Sequence, residues 1–450
     1  MVRPSLAAVP VFRMAQLAYL LLVFMLIFMK QRVMIQELGA VPADFLFVLV
    51  MALWVLSLAT RQTVARWHQA FWILPAYLAA LGASALVSTD TAASAFKLST
   101  QFYLVALAFL TYNLVRTVDD LKQVFITWLA ASAFLGAWAV ATVILFPILG
   151  PDSILAGPLH HYGTLPPGPY PRIELTFVHP AMLANYLTVS LLILFISARL
   201  RWVRGPAVTL IAISIVVAAF FALTPGFGGL LLGAGIWTGL LAPGRKLPQA
   251  RVALAGGIIG GVAFTLAAVV TPIVPADTPF LIDLPGLPPL APSVRLLAWM
   301  DALRNFWNSP LLGGGIGIPP VHVPYTHPSG DSGYVNDAHN TYLNIAAQCG
   351  VAGLLGVLML LIVAVRMGRP FKGARRNMKL LRAGLATAFL SAFGFEGLVG
   401  SFEDARHLWV LFGLIAVASN LALRPQSTKS DADRISGSLC WRRSDPSPSA

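Results

Sequence analysis

The chain has 450 residues, of which 57% are hydrophobic and only 11% charged, and its mean hydropathy is +0.76. Soluble domains carry about 25% charge, so this composition excludes a soluble globular protein and requires an integral membrane protein. The formal net charge of +13 would suggest a nucleic-acid partner in a soluble chain. In a membrane protein it follows from Lys and Arg kept in the inner loops, and no nucleic acid is expected. Cys349 and Cys440 lie at the start of a span and in the tail, so no disulfide framework is implied. The apolar run from Ala15 to Met29 is followed by Lys30 and further spans without a clear cleavage site, unlike a cleavable signal peptide.

Spans of about 17–25 apolar residues are the expected unit. Twelve segments fit in chain order: near 14–29, 43–60, 69–88, 98–115, 123–149, 178–198, 206–222, 226–242, 252–275, 341–365, 380–398 and 406–423. The first is short and the fifth long. With the N-terminus inside, the outer segments hold only Lys30, Arg32, Lys97, Arg172, Arg295, Arg304 and Arg406 of the 31 Lys and Arg. The run from Arg366 to Arg382 is the strongest inner cue, so N-in/C-in is the expected orientation. Lys30 and Arg32 run mildly against it. The expected fold is an all-α polytopic membrane protein of about twelve transmembrane helices. It comprises one transmembrane domain over 1–423 and a disordered, Ser-rich cytoplasmic tail over 424–450. No internal repeat is evident.

Two outer loops are long. The loop over 150–177 holds His160, His161 and a Pro-rich run from Gly163 to Arg172. The loop over 276–340 holds Pro285, Pro288, Pro289 and Pro292, then a helix over 293–308, then glycines at 313, 314, 315 and 317. At roughly 100° per residue, Asp301, Arg304, Asn305 and Asn308 share one face of that helix. Leu296, Trp299, Met300, Leu303, Phe306 and Trp307 share the other. Such an amphipathic helix suits the outer interface, with Trp as anchors. Arg295 falls within the apolar face, where a guanidinium is costly without an anionic partner. A phosphate fits, because the planar fork binds it through two parallel bonds. Snorkelling from the first turn is the alternative. Arg304, on the solvated face, reads as structural.

The run from Arg172 to His179 and Pro180 closes the first loop and opens a span. It sets a cation and an imidazole at one membrane depth, although both residue types also serve as plain interface anchors. Pro180 suits the first helical turn. The cluster Asp337-Ala338-His339-Asn340-Thr341-Tyr342 lies where the second loop enters an apolar helix. A histidine there, beside an acid and an amide, can do proton chemistry at a lipid headgroup. A histidine that simply faces water is the alternative. The glycines from Gly313 to Gly317 could let amides approach an anion. No Lys-Ser or Lys-Thr follows them as in a P-loop, so a hinge is the expected role. HExxH and CxxC patterns do not occur, so neither a metal nor another cofactor is expected. Arg172, Arg295 and His339, with Asp337, Asn340 and Tyr342 near in sequence, suit one task. They could hold a diphosphate leaving group while a hydroxyl is deprotonated or oriented.

These residues also carry a resemblance. The run from Arg172 to Pro180, then Ser293 with Arg295 and Trp299, then Ser309 to Gly317, then Ala338 to Gly356 stand in that order. Over roughly 170–365 the chain resembles the O-antigen ligase and polymerase superfamily. The segment from His339 to Leu343, followed by the glycine-containing helix from Gly350, is the most specific part. The resemblance implies a GT-C-like bacterial inner-membrane glycosyltransferase acting on the periplasmic side, with a large periplasmic loop. Its donor would be an undecaprenyl-diphosphate-linked glycan, its acceptor a glycan or lipid A-core, and its surroundings membrane lipids, with no metal and no nucleotide sugar. Carried over by position, Arg172 and Arg295 would bind the diphosphate, and His339 would be the catalytic histidine. His179, Asp337, Asn340 and Tyr342 would support them. Leu175 and Ala181 stand where the family often has Gly and Asn. Thr224 to Gly228 stand where it often has a Ser-Arg pair, so either Arg172 or another cation compensates there or the activity has diverged.

Three functions stay open on these grounds. One is ligation of a lipid-carried glycan to lipid A-core, and the second is polymerisation of O-antigen or exopolysaccharide repeat units. The third, from another class, is transport of a lipid-linked sugar. A transporter calls for ionisable residues deep within spans. Glu396 is the main candidate, and it lies near a span end.

Overall fold

The computed structural model describes residues 10–30, 33–35, 38–150, 153, 160–163, 170–241, 247–271, 279–283, 285, 288–326, 332–369 and 375–423. The tail over 424–450, with Cys440, and Arg32 lie outside the described residues. The helices in chain order are α1 (Val11–Met25), α2 (Pro42–Ala59), α3 (Ile73–Ala85), α4 (Thr91–Leu114), α5 (Val118–Leu149), α6 (Pro180–Arg199), α7 (Pro206–Phe221), α8 (Phe227–Leu241), α9 (Leu247–Val269), α10 (Val294–Asn308), α11 (Thr341–Gly368), α12 (Arg376–Phe389) and α13 (Arg406–Leu423). A wider helical turn and a tighter one extend α12 to Leu398. Four short antiparallel pairs join them: β1–β2 (Val33–Ile35, Leu38–Ala40), β3–β4 (His160–Gly163, Tyr170–Ile173), β5–β6 (Val270–Thr271, Ala291–Pro292) and β7–β8 (Val323–Thr326, Ser332–Val335).

The twelve apolar segments each become helix, with ends shifted by a few residues. Seven are long and apolar enough to cross a membrane: α2, α4, α5, α6, α11, α13 and the stretch from Arg376 to Leu398. The other five form shorter apolar helices. α10 is the helix of the long second loop. α6 lies at the centre of the bundle and is buried over most of its length. Its polar side chains bond to neighbouring helices, as where Trp128 of α5 donates to Ser190 at 2.9 Å and stacks on Tyr186 at 5.3 Å.

α11 is broken at Gly350, whose φ of 61° belongs to the left-handed region that glycine tolerates. A Cβ there would lie 2.4 Å from the Leu311 carbonyl. The break frees backbone groups that cannot go unpaired in a membrane, and the segment from Pro310 to Gly315 satisfies them. Gly314 and Gly315 donate to the Ala347 and Gln348 carbonyls, each at 3.0 Å, and Val351 donates to the Pro310 carbonyl at 2.8 Å. The glycine stretch is therefore a fixed docking segment and not the hinge that its composition suggests. Gly313 donates to the Ser309 carbonyl and Gly317 to the Gln348 side chain, so these amides already have acceptors and do not cradle an anion.

Ser293 caps α10, accepting from the Leu296 amide at 3.4 Å. The helix then packs on the loop through Ala298 and Ala302, both fully buried. Its orientation differs from the sequence expectation. Asp301 accepts from the His322 amide at 2.8 Å and Asn305 donates to the Pro320 carbonyl at 2.9 Å, so part of the polar face points inward. Met300, Leu303 and Trp307 are exposed. Loop backbone groups claim Asp301 and Asn305, and part of the apolar stripe faces outward while Trp299 packs on the loop.

Candidate functional site

The site is assembled where α6, α10 and α11 begin, around the short segment between Leu398 and Arg406. Asn340 caps α11: its Oδ1 accepts from the Tyr342 and Leu343 amides at 3.0 and 3.1 Å. Its Nδ2 donates to the Leu398 carbonyl at 3.0 Å. Thr341 donates to the Gly400 carbonyl at 3.0 Å through both its amide and its hydroxyl. Tyr342 donates to the Gly394 carbonyl at 2.6 Å. Asn340 and Tyr342 thus fix the backbone that follows His339.

His339 itself has a φ of 49°, strained for a residue with a side chain. The Asp337 carboxylate holds it there. Asp337 Oδ1 accepts the His339 amide at 2.5 Å and lies 3.4 Å from His339 Nδ1. With Nδ1 turned to the acid, the proton of a neutral ring belongs on Nδ1, and Nε2 keeps its lone pair. The ring is 37% exposed. Partial burial pushes its proton affinity below the ordinary histidine value; Asp337 works against this, while Arg295 and Arg172 add to it. The imidazole is therefore neutral at neutral pH.

His179 caps α6, its Nδ1 accepting from the Ala181 amide at 3.1 Å, with Pro180 at the first helical position. Its ring stacks on His339 at 5.7 Å and 28°. The two helix-entry motifs, far apart in sequence, thus meet ring to ring.

Two cations complete the cluster. Arg295, in the first turn of α10, donates through Nη1 to the Val399 carbonyl. Among the described residues no carboxylate lies within ion-pair distance of it. Burial and the neighbouring Arg172 push it down to about 10, with Asp337 opposing. Arg172 on β4 is half-buried and donates through Nε to the Ala222 carbonyl at 3.2 Å. Other cations expected on the same side pair with acids instead: Lys30 with Glu174 at 2.5 Å, Lys97 with Asp404, and Arg406 with Asp44 at 2.8 Å. The Lys30 pair accounts for a charge that ran against the orientation trend. Arg304 is exposed on α10. The carbonyls of Leu398, Val399 and Gly400 in succession bind Asn340, Arg295 and Thr341, so this backbone sets the spacing between the guanidinium and the histidine.

The two departures from the family pattern have physical counterparts. Leu175 has a φ of 51° and a fully buried side chain. The backbone keeps the conformation that suits glycine while the side chain joins the core. At Thr224 to Gly228 no arginine is present, and Gly226 and the following Gly229 pack on a carboxyl: a Cβ on them would lie 3.1 Å from Glu396 Oε2 and 2.3 Å from Glu396 Cγ, respectively. Arg172 reaches the start of this turn through the Ala222 carbonyl.

Residues missed by sequence reasoning lie mostly in the segment before α13. Ser401 donates to Asp337 Oδ1 at 2.6 Å, and Asn344 donates to Asp337 Oδ2 at 2.9 Å. Glu403 is 4% exposed and lies 3.3 Å from Asn344 Nδ2. The available signal was a polar, acidic run, Ser401 to Asp404, between two apolar spans. No group of three or more His, Cys, Asp or Glu is arranged to hold a metal among the described residues.

Residues 175–358 match a protein-family model described as O-Antigen ligase. The matched segment contains His179, Arg295 and His339, and Arg172 lies three residues before it. No curated protein matches the chain.

Proposed function

We propose that this chain, which carries an O-antigen ligase domain over residues 175–358, is a periplasm-facing glycosyltransferase of the bacterial inner membrane. It moves a glycan from an undecaprenyl-diphosphate carrier to an acceptor hydroxyl of lipid A-core. Twelve helices span the membrane, N-in/C-in, with the segments over 150–177 and 276–340 outside, and the tail over 424–450 is cytoplasmic. The observation that carries this reading is a partly exposed His339 beside Asp337 and two arginines, of which Arg295 has no carboxylate within ion-pair distance among the described residues.

In the reaction, Arg172 and Arg295 bind the diphosphate, and His339 Nε2 accepts the proton of the acceptor hydroxyl. The acceptor oxygen forms a bond to the anomeric carbon. The bond from that carbon to the phosphate oxygen breaks, and its electron pair leaves on undecaprenyl diphosphate. The guanidinium groups stabilise the charge that develops there, where fixed cations are most effective. Asp337 stabilises the imidazolium formed on His339, and His179 limits its rotation by stacking. No metal and no cofactor takes part.

A repeat-unit polymerase uses the same chemistry with a sugar hydroxyl of a second lipid-linked glycan as acceptor. The test reconstitutes the full chain in liposomes with an undecaprenyl-diphosphate-linked glycan and either acceptor. His339→Ala should stay in the membrane and lower transfer by about 10²–10⁴-fold, the scale of a lost general base. Unimpaired transfer would remove the histidine from the mechanism, and translocation without product would favour a transporter.

A further inference from the structure

Asn344 is shared between two carboxyl groups. Its Oδ1 accepts from the Ala338 amide at 2.9 Å, which fixes the orientation of the side-chain amide. Its Nδ2 then faces three oxygens: Ser401 Oγ at 2.8 Å, Asp337 Oδ2 at 2.9 Å and Glu403 Oε1 at 3.3 Å. An amide nitrogen has two protons for these three acceptors. Asp337 takes one, and also receives the Ser401 hydroxyl and the His339 amide. Glu403 is left with the longest contact. Its Oε2 is buried with no partner among the described residues.

Other elements offer this carboxyl little. Lys97 of α4 is the facing cation, but its ammonium is taken by Asp404, which also receives Gln101 at 2.6 Å. Tyr77 of α3, Cys349 of α11, Asp404 and Asp337 are the other titratable groups that interact with it. A buried carboxylate with one unmet oxygen, next to a second carboxylate on the same amide, is disfavoured on both counts.

We infer that Glu403 is a positioning residue whose neutral acid form leaves Asp337 as the single negative charge that faces His339 and the arginines among the described residues. This rests on the proposed transferase reading for its consequence, but not for its geometry. Burial pushes Glu403 up to about 7, with the Lys97 charge opposing and the Asp404 and Asp337 charges reinforcing. Above that pH the group ionises. A second charge then pulls on Asn344, weakens its hold on Asp337, and places negative potential beside the arginines that await an anion. The sign for stability is also fixed. A carboxyl whose folded value is raised binds more protons folded than unfolded, so folding stability falls as pH rises from the unfolded value toward about 7.

The test compares the wild-type full chain with Glu403→Gln, an uncharged near-isostere. Titrations with inorganic pyrophosphate and donor KM values are taken from pH 6 to 9, and Tm from pH 4 to 8. The wild-type affinity for pyrophosphate, relative to that of the variant, should weaken by about tenfold over this range, the scale of one nearby charge. Donor KM should diverge likewise, while kcat diverges less. The wild-type Tm should fall with rising pH relative to Glu403→Gln. Parallel pH dependences of pyrophosphate affinity and Tm in the two proteins would overturn the inference. An absence of transfer at every pH, with the pyrophosphate and Tm differences intact, would instead remove the transferase reading alone.

Discussion

Two polar clusters in this protein are built from the same three kinds of group, and they differ in what they leave open. In the bundle, Asn185 of α6 donates to the Ala392 carbonyl at 2.7 Å and to Glu396 at 3.0 Å, and its Oδ1 meets His407 Nε2 at 2.7 Å. All three side chains are fully buried. At the outer site, Asn344, Asp337 and His339 are again an amide, a carboxyl and a histidine, but the imidazole is partly exposed and two arginines stand beside it. The inner set ties α6 to α13 and to the distorted end of α12. The outer set presents a lone pair and cations to the surroundings. Composition does not distinguish the two clusters; access and neighbouring charge do.

Substitutions can break or sharpen that contrast. The largest effect in this series is expected from Arg295→Ala, with transfer lowered about 10²–10³-fold, as when a fixed donor to a developing anion is removed. Arg295→Lys should recover little, because an ammonium cannot reproduce the planar fork. Full activity in Arg295→Ala would make the outer cluster as structural as the inner one. Next is Asp337→Asn, with an expected loss of about tenfold, within the range assigned to groups that assist a general base. Its pH profile is the sharper readout. In the proposed reaction His339 is the neutral base, so activity should fall as pH drops through its already lowered value. Asp337 raises that value, so removing its charge should move the acid limb of kcat/KM to lower pH. A limb that stays in place would mean Asp337 does not face the titrating group.

The smallest effects belong to residues outside the reactive set. Glu396→Gln keeps the shape and hydrogen-bonding capacity of the inner cluster, and transfer should stay within about twofold, as for a group that never meets the transition state. A loss of transport together with transfer would show that the inner cluster moves protons. Arg304→Ala, exposed on α10, should also stay within about twofold on the same reasoning. Equal losses for Arg304 and Arg295 would mean that bulk positive charge, and not the placed guanidinium, attracts the donor.

The sequence by itself determined where the helices run, because each apolar segment is a local property that burial in lipid converts directly into helix. It also located His339 and His179 at helix entries, the latter through Pro180, and placed the loop helix with Arg295 in its first turn. Composition misled where a neighbour took over. Gly313 to Gly317 read as a hinge until α11, broken at Gly350, supplied carbonyls for the Gly314 and Gly315 amides and a side-chain oxygen for that of Gly317. The polar face of α10 read as solvated until the loop around Pro320 to His322 claimed Asp301 and Asn305. Only the tertiary structure decided that Val399 offers its carbonyl to Arg295, that His179 stacks on His339, and that Ser401 and Glu403 stand behind Asp337. Those contacts join segments about 60 to 160 residues apart. Periodicity and hydropathy report on one helix at a time, whereas the site exists only in the packing of several.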